Sequence, residues 1–153
     1  MSNRENTIIV SLVSTLIVLS FYLVRWLGMY QEVGLDSAQI FRLWAIVIVA
    51  TILLNIFGNI LANIAVNIAH AIRTNSSAEV RMVEDERDKL IELKGIKVTY
   101  IAFSVGVLLA MLTFVFGQPP LIMFSLIIFF SLLGEIIGDL SQLFLYRRGV
   151  RYG

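Results

Sequence analysis

The sequence predicts an all-α polytopic membrane protein, with four transmembrane helices and a cytoplasmic amphipathic helix forming a single bundle over residues 1–153. Three observations predict it. Of the 153 residues, 58% are hydrophobic, against about 45–50% in soluble domains. The mean hydropathy is +0.86. Charged residues make up only 15% of the chain and gather between residues 73 and 97. The length suits one small bundle rather than several domains.

The first span is expected at about residues 7–29. Its uncharged run, Thr7 to Val24, is too long for the apolar core of a signal peptide, and Arg25 and Trp26 follow instead of a small-residue cleavage site. A retained helix is therefore expected. The second span covers about 42–71, the third about 98–117 and the fourth about 121–146, each long enough to cross a bilayer. Gly117-Gln118-Pro119-Pro120 joins the last two as an antiparallel hairpin, because proline ends one helix and opens the next.

Lys and Arg set the expected orientation. Arg4, six residues of the central segment (Arg73, Arg81, Arg87, Lys89, Lys94 and Lys97) and Arg147, Arg148 and Arg151 fall on one side, leaving Arg25 and Arg42 on the other. Both termini and the central segment are thus expected in the cytoplasm. Trp26, Tyr30 and Trp44 would mark the outer interface, and Tyr146 and Tyr152 the inner one.

Between the second and third spans the pattern changes. Ser76 and Glu79 form a capping box. Val80, Val83, Leu90 and Leu93 share one face, and Arg81–Asp85 and Asp85–Lys89 are i,i+4 pairs. A cytoplasmic helix over about 77–95 is expected, running toward the third span with a bend at Gly95. It serves either as a solvated connector or as a docking site for a protein partner or a second protomer.

The residues that carry chemistry lie inside the spans. Glu135 and Asp139 interrupt the apolar fourth span, and an acid near mid-bilayer costs at least ~2.5 kcal/mol on insertion scales. Ser131, Glu135, Asp139 and Gln142 fall within about 80° of one another on a helix. Beside them, Gly134 and Gly138 form the small-xxx-small spacing that lets helices approach closely. The second span carries Asn55, Asn59, Asn63 and Asn67 at steps of four, a stripe drifting through about 120°. Gly58 and Ala62 supply small contact positions there, and Ala102, Gly106 and Ala110 do so on the third span.

Compared by depth, Asn55 matches Glu135, Asn59 matches Asp139, and Asn63 matches Gln142. The two stripes are expected to face one another, or a shared cavity, in the cytoplasmic half. The hydroxyls of Thr7, Ser11, Ser14 and Thr15 favour the same half. Carboxylate, amide and hydroxyl oxygens are ligands of hard cations, and membrane-embedded acids can relay protons.

Several function classes are set aside. A net charge of +1 gives no basic face for nucleic acid, and the absence of Cys removes disulfides, thiolate metal sites and Cys nucleophiles. The single His, His70, reads as an interfacial side chain rather than a metal ligand. No phosphate-binding glycine loop, zinc-protease or nucleophile-elbow motif is present. No enzyme activity and no cofactor are expected, and no particular metal is specified.

Glu84-Asp85-Glu86-Arg87-Asp88, with Ile91, Lys94 and Gly95, precedes a hydrophobic hairpin. In this the chain resembles small prokaryotic membrane proteins that carry an Asp-Glu-Arg-Asp/Glu segment before their last two helices. The resemblance runs from about Val83 to the C-terminus and implies a prokaryotic cytoplasmic membrane. That class has no assigned activity, so the resemblance supports topology alone.

Two readings remain open. In one, the polar seam (Glu135, Asp139, Asn55, Asn59, Asn63, Gln142 and Ser131) binds or passes a cation, a proton or a small polar solute. In the other, the protein is a non-transporting accessory, and the amides and small residues drive helix packing or homo-oligomerisation. The lipid bilayer is the partner common to both.

Overall fold

The structure, a computed structural model, describes residues 3–32, 36–74 and 86–148, with much of 62–74 described by its backbone only. All regular elements among the described residues are helices: α1 (Asn3–Glu32), α2 (Ser37–Thr74), α3 (Glu86–Val115) and α4 (Pro120–Arg148). Each contains a segment long and apolar enough to cross a membrane.

Local chemistry sets the ends of these helices. Asp36 precedes α2, and its carbonyl accepts the first helical bond from the Ile40 N–H at 3.1 Å, as a helix N-cap does. At the far end of α3, Gly117 adopts φ +82°. Its N–H donates to the Phe114 carbonyl at 3.0 Å and the Gln118 N–H to the Thr113 carbonyl at 3.1 Å. This pair of bonds is a Schellman cap, which needs a left-handed residue that glycine supplies without strain. Pro119 and Pro120 then open α4, which ends on Arg147 and Arg148.

The charged segment and the third span are one helix from Glu86 onward, with no break at Gly95. The start of the expected helix over 77–95, with Ser76 and its capping box, lies outside the described residues. So do the side chains of Ala62, Asn63 and His70.

The helices run alternately up and down. α1 packs along α2 and α4, α3 packs along α4, and α2 touches α4 only sparsely. In cross-section the order is α2, α1, α4, α3, and α2 and α3 make no substantial contact. Exposed Leu, Ile, Val and Phe side chains cover all four helices, the surface that lipid satisfies and water does not.

The α3–α4 contact is close because both faces are small. Gly95, Gly106 and Ala110 of α3 are buried, as are Gly134 and Gly138 of α4, while Ala102 is half-buried. A Cβ on Gly106 would run into the Phe130 ring, and one on Gly95 into the Gln142 side chain. Gly95 therefore gives the Gln142 side chain of α4 room to seat against α3. On the opposite flank, Gly58 of α2 meets Val10 of α1, where a Cβ would come within 2.6 Å of a valine methyl.

The apolar core lies toward the end away from the chain termini. Val18 and Tyr22 of α1, Leu43 and Val47 of α2, and Ile128 and Leu132 of α4 form one buried cluster. Tyr22 is 3% exposed, and its hydroxyl donates to the Ser125 carbonyl at 2.7 Å. Tyr22→Phe removes this α1–α4 bond alone and is expected to cost about 1 kcal/mol, measurable as a lower midpoint in reversible unfolding from mixed micelles. Beyond the cluster, Trp26 stacks on Tyr30 with ring centroids 5.5 Å apart.

Candidate functional site

Below the apolar cluster, toward the termini, the interior becomes polar. A cavity of about 330 Å³ opens there, and all four helices line it. Arg4, Thr7 and Ser11 come from α1, Asn55 and Asn59 from α2, Asp88 and Glu92 from α3, and Glu135, Asp139, Gln142 and Tyr146 from α4. Glu135 marks its inner limit, and Arg4 and Tyr146 mark its mouth.

The acids meet α1 first. Thr15, fully buried, directs its hydroxyl at Glu135 Oε2, 3.5 Å away. Ser11, one turn nearer the start of α1, lines the same cavity as Asp139. Each step of four toward the start of α1 is matched by a step of four toward the end of α4, so the pairing is an antiparallel ladder. Gln142 and Tyr146 line the same cavity as Thr7 and Arg4. These hydroxyls are short and need no rotamer change to turn inward, and a helix interior tolerates them when an acceptor lies across the interface.

Asn55 and Asn59 of α2 share the cavity with both acids. Their stripe and the acids of α4 thus border one space, with α1 wedged between the two helices over most of their length. The side chains of Asn63 and Asn67 lie outside the described residues. Ser131 departs from the expected grouping. It is exposed and lines a groove on the other side of Glu135, because one turn above Glu135 the space toward α1 is taken by Ile128, Leu132 and Val18.

Two acceptors in this region receive no protein donor: Asn59 Oδ1 and Asp139 Oδ2, both buried. A buried oxygen without a donor costs on the order of 1–3 kcal/mol. Among the described residues, no group of three or more His, Cys, Asp or Glu is placed to hold a metal ion. Deep in the cavity the donors are the two carboxyls of Glu135 and Asp139 with amide and hydroxyl oxygens, while Asp88 and Glu92 stand nearer the mouth, a set suited to a single positive charge.

The mouth is ringed by charge. Arg4 Nη1 meets Glu92 Oε2 at 3.2 Å, the Tyr146 hydroxyl donates to Asp88 Oδ1 at 2.7 Å, and Arg87 donates to the Tyr146 carbonyl at 3.4 Å. These contacts tie the start of α1, the start of α3 and the end of α4 together. The Arg4 and Glu92 side chains are 33% and 45% exposed, and exposed pairs contribute about 0–1 kcal/mol. Glu92→Gln is accordingly expected to leave the unfolding midpoint within about 1 °C, an estimate for a change of a few tenths of a kcal/mol.

Sequence reasoning did not single out Arg4, Asp88 and Glu92 as cavity residues, nor pair Thr15 and Ser11 with the acids. One signal was available: hydroxyls at steps of four on α1 mirror acids at a step of four on α4. Comparison of the chain with known protein families, with curated proteins and with solved structures finds no match.

Proposed function

We propose that this is an integral membrane protein that binds a cation (a proton, a monovalent metal ion or a small positively charged solute) in the cavity at the end carrying its termini. Glu135 and Asp139 supply the charge. Asn55 and Asn59 are neutral ligands, and Ser11 and Thr15 orient the carboxyls. The Lys and Arg distribution puts this end in the cytoplasm, so the cavity faces inward. The apolar cluster around Tyr22 separates it from the outside, and passage across the membrane requires that cluster to part.

One observation carries this reading. Two acids and two amides from different helices border a single cavity, and two of these four residues, Asn59 and Asp139, each carry a buried oxygen without a hydrogen-bond partner. If the asparagines served packing alone, the amide oxygen of Asn59 would accept from a neighbouring helix. The small residues weigh the same way. Gly106, Gly138 and Gly58 are engaged by Phe130, Thr99 and Val10 of the same chain, which leaves those faces unavailable to a second protomer.

Asn59→Leu separates the two readings. Leucine removes a buried acceptor without a donor, so a cation ligand at this position makes the variant at least as stable as wild type and weaker in cation binding. Binding is expected to fall about tenfold for one lost ligand, the equivalent of roughly 1.4 kcal/mol. Isothermal titration with Na⁺ at several pH values, with unfolding midpoints measured in parallel, reads both quantities. A variant that loses stability and keeps its binding would support packing and overturn the site.

A further inference from the structure

Glu135 lines two separate spaces. On one side lies the polar cavity. On the other lies a groove of about 360 Å³ between α2 and α3, lined among others by Trp44, Ile48, Thr51, Phe103, Ser131 and Glu135. Because α2 and α3 do not pack together, α4 forms the floor of this groove and its long opening faces sideways. Trp44 and Ile48 on its rim are 45% and 39% exposed, part of the apolar surface that meets lipid.

The groove differs chemically from the cavity. Its walls are mainly aliphatic and aromatic, and the Thr51 hydroxyl is engaged by the Val47 carbonyl of its own helix at 2.8 Å. Among the described residues that line it, Glu135 is the one charged residue and none is Lys or Arg. An inorganic ion arrives from water and has no use for an apolar slot open to acyl chains. A plain acyl chain has no use for a carboxyl at the slot's inner limit. A molecule with an apolar body and one positive charge uses both.

We infer that the ligand class is a lipophilic organic monocation, such as a bulky amine or onium ion. It enters sideways from the bilayer, lays its body between α2 and α3, and sets its charge on Glu135. This deepens the proposed function and rests on its assignment of Glu135 as a cation ligand. Small cations then reach the same carboxyl from the aqueous cavity, so the two ligands compete for one residue from opposite sides.

The test uses full-length protein in phosphatidylcholine nanodiscs and radiolabelled tetraphenylphosphonium as probe, with Na⁺ binding measured on the same samples. Saturable phosphonium binding is expected, displaced by Na⁺ or by lowering the pH. Ile48→Trp, which fills the groove from its rim, is expected to weaken phosphonium binding about tenfold or more while Na⁺ binding stays within about twofold. Thr51→Leu fills the same groove more gently and serves if the tryptophan disturbs folding. Glu135→Gln is expected to lose both ligands.

Tetraphenylborate, of the same shape and opposite charge, should bind at least tenfold more weakly than the phosphonium. Equal binding of the two would make the groove an acyl-chain slot and overturn the inference, as would phosphonium binding indifferent to both groove-filling variants. Na⁺ binding without phosphonium binding overturns the inference and leaves the proposed function standing. If wild type binds neither, the proposed function fails first.

Discussion

Glu135→Gln combined with Asp139→Asn is expected to abolish cation uptake into proteoliposomes while the four-helix fold persists. The substitutions keep shape and remove charge. Thr15 can still reach the residue at 135, now across its 3.5 Å contact to an amide. A contact between an ionised group and its partner contributes roughly 1.5–3 kcal/mol, so each acid lost should weaken binding by about ten- to a hundredfold. The stability change should have the opposite sign, because an acid inside a bilayer costs at least ~2.5 kcal/mol on insertion scales. The expected signature is thus a midpoint at or above wild type together with uptake at the background of empty liposomes. Loss of uptake accompanied by a collapsed midpoint or altered assembly would point instead to a structural role for the acids.

The second large effect lies where α3 meets α4. Gly138→Val is expected to destabilise the protein by about 3 kcal/mol, at the upper end of what overpacking costs. A Cβ at this position would land on the Thr99 hydroxyl and lie 3.3 Å from the Gly95 carbonyl. Thr99 has little freedom to yield, because its hydroxyl already bonds the Gly95 carbonyl at 3.2 Å. Gly134 provides the control, since its nearest neighbour, the Thr99 carbonyl, would sit 3.4 Å from an added Cβ. Gly134→Ala should therefore change stability by no more than about 0.5 kcal/mol, although both glycines belong to one sequence motif. Thr99→Ala should restore part of the stability lost in Gly138→Ala, giving a coupling of at least about 0.5 kcal/mol in a double-mutant cycle. Equal costs at 134 and 138, or no coupling to Thr99, would mean that α3 and α4 approach differently.

The hairpin between α3 and α4 was legible in the sequence because it depends on backbone chemistry that few residues supply. Gly117 accepts a positive φ, and two prolines cannot continue α3. The four apolar segments were legible because a bilayer demands length and hydrophobicity before any detail of packing. The small face of α4 was legible from Gly134 and Gly138. What that face contacts was not, since spacing names a close approach without naming the partner.

The continuity of the charged segment with the third span was less legible, for a related reason. Hydropathy changes near Val98, but that change marks a shift in surroundings, and the helix itself runs unbroken from Glu86. The contact of Gly95 with the Gln142 side chain across the interface was not legible from its position in the sequence. On the polar seam, the helical wheel correctly placed Ser131 near Glu135 in angle. It could not show that Leu132 and Ile128 close that level to the cavity, so that Ser131 opens onto the groove. The hydroxyls of α1 were noticed only by depth. Serine and threonine are common in membrane helices, and only the helix register shows that two of them meet the acids.

The central claim is that a polar cavity, entered from the end of the bundle carrying the termini, reaches the two acids. The chain contains no cysteine, so Ser11→Cys introduces a single thiol beside Asp139. Its labelling by a membrane-impermeant maleimide, applied in turn to each side of sealed vesicles, tests the claim most directly. Reaction from the side that holds the termini alone, slowed by saturating Na⁺, is the expected result. A thiol that resists the water-soluble reagent from both sides, yet reacts with a lipid-soluble maleimide, would contradict it, because the face bearing Ser11 would then look at acyl chains.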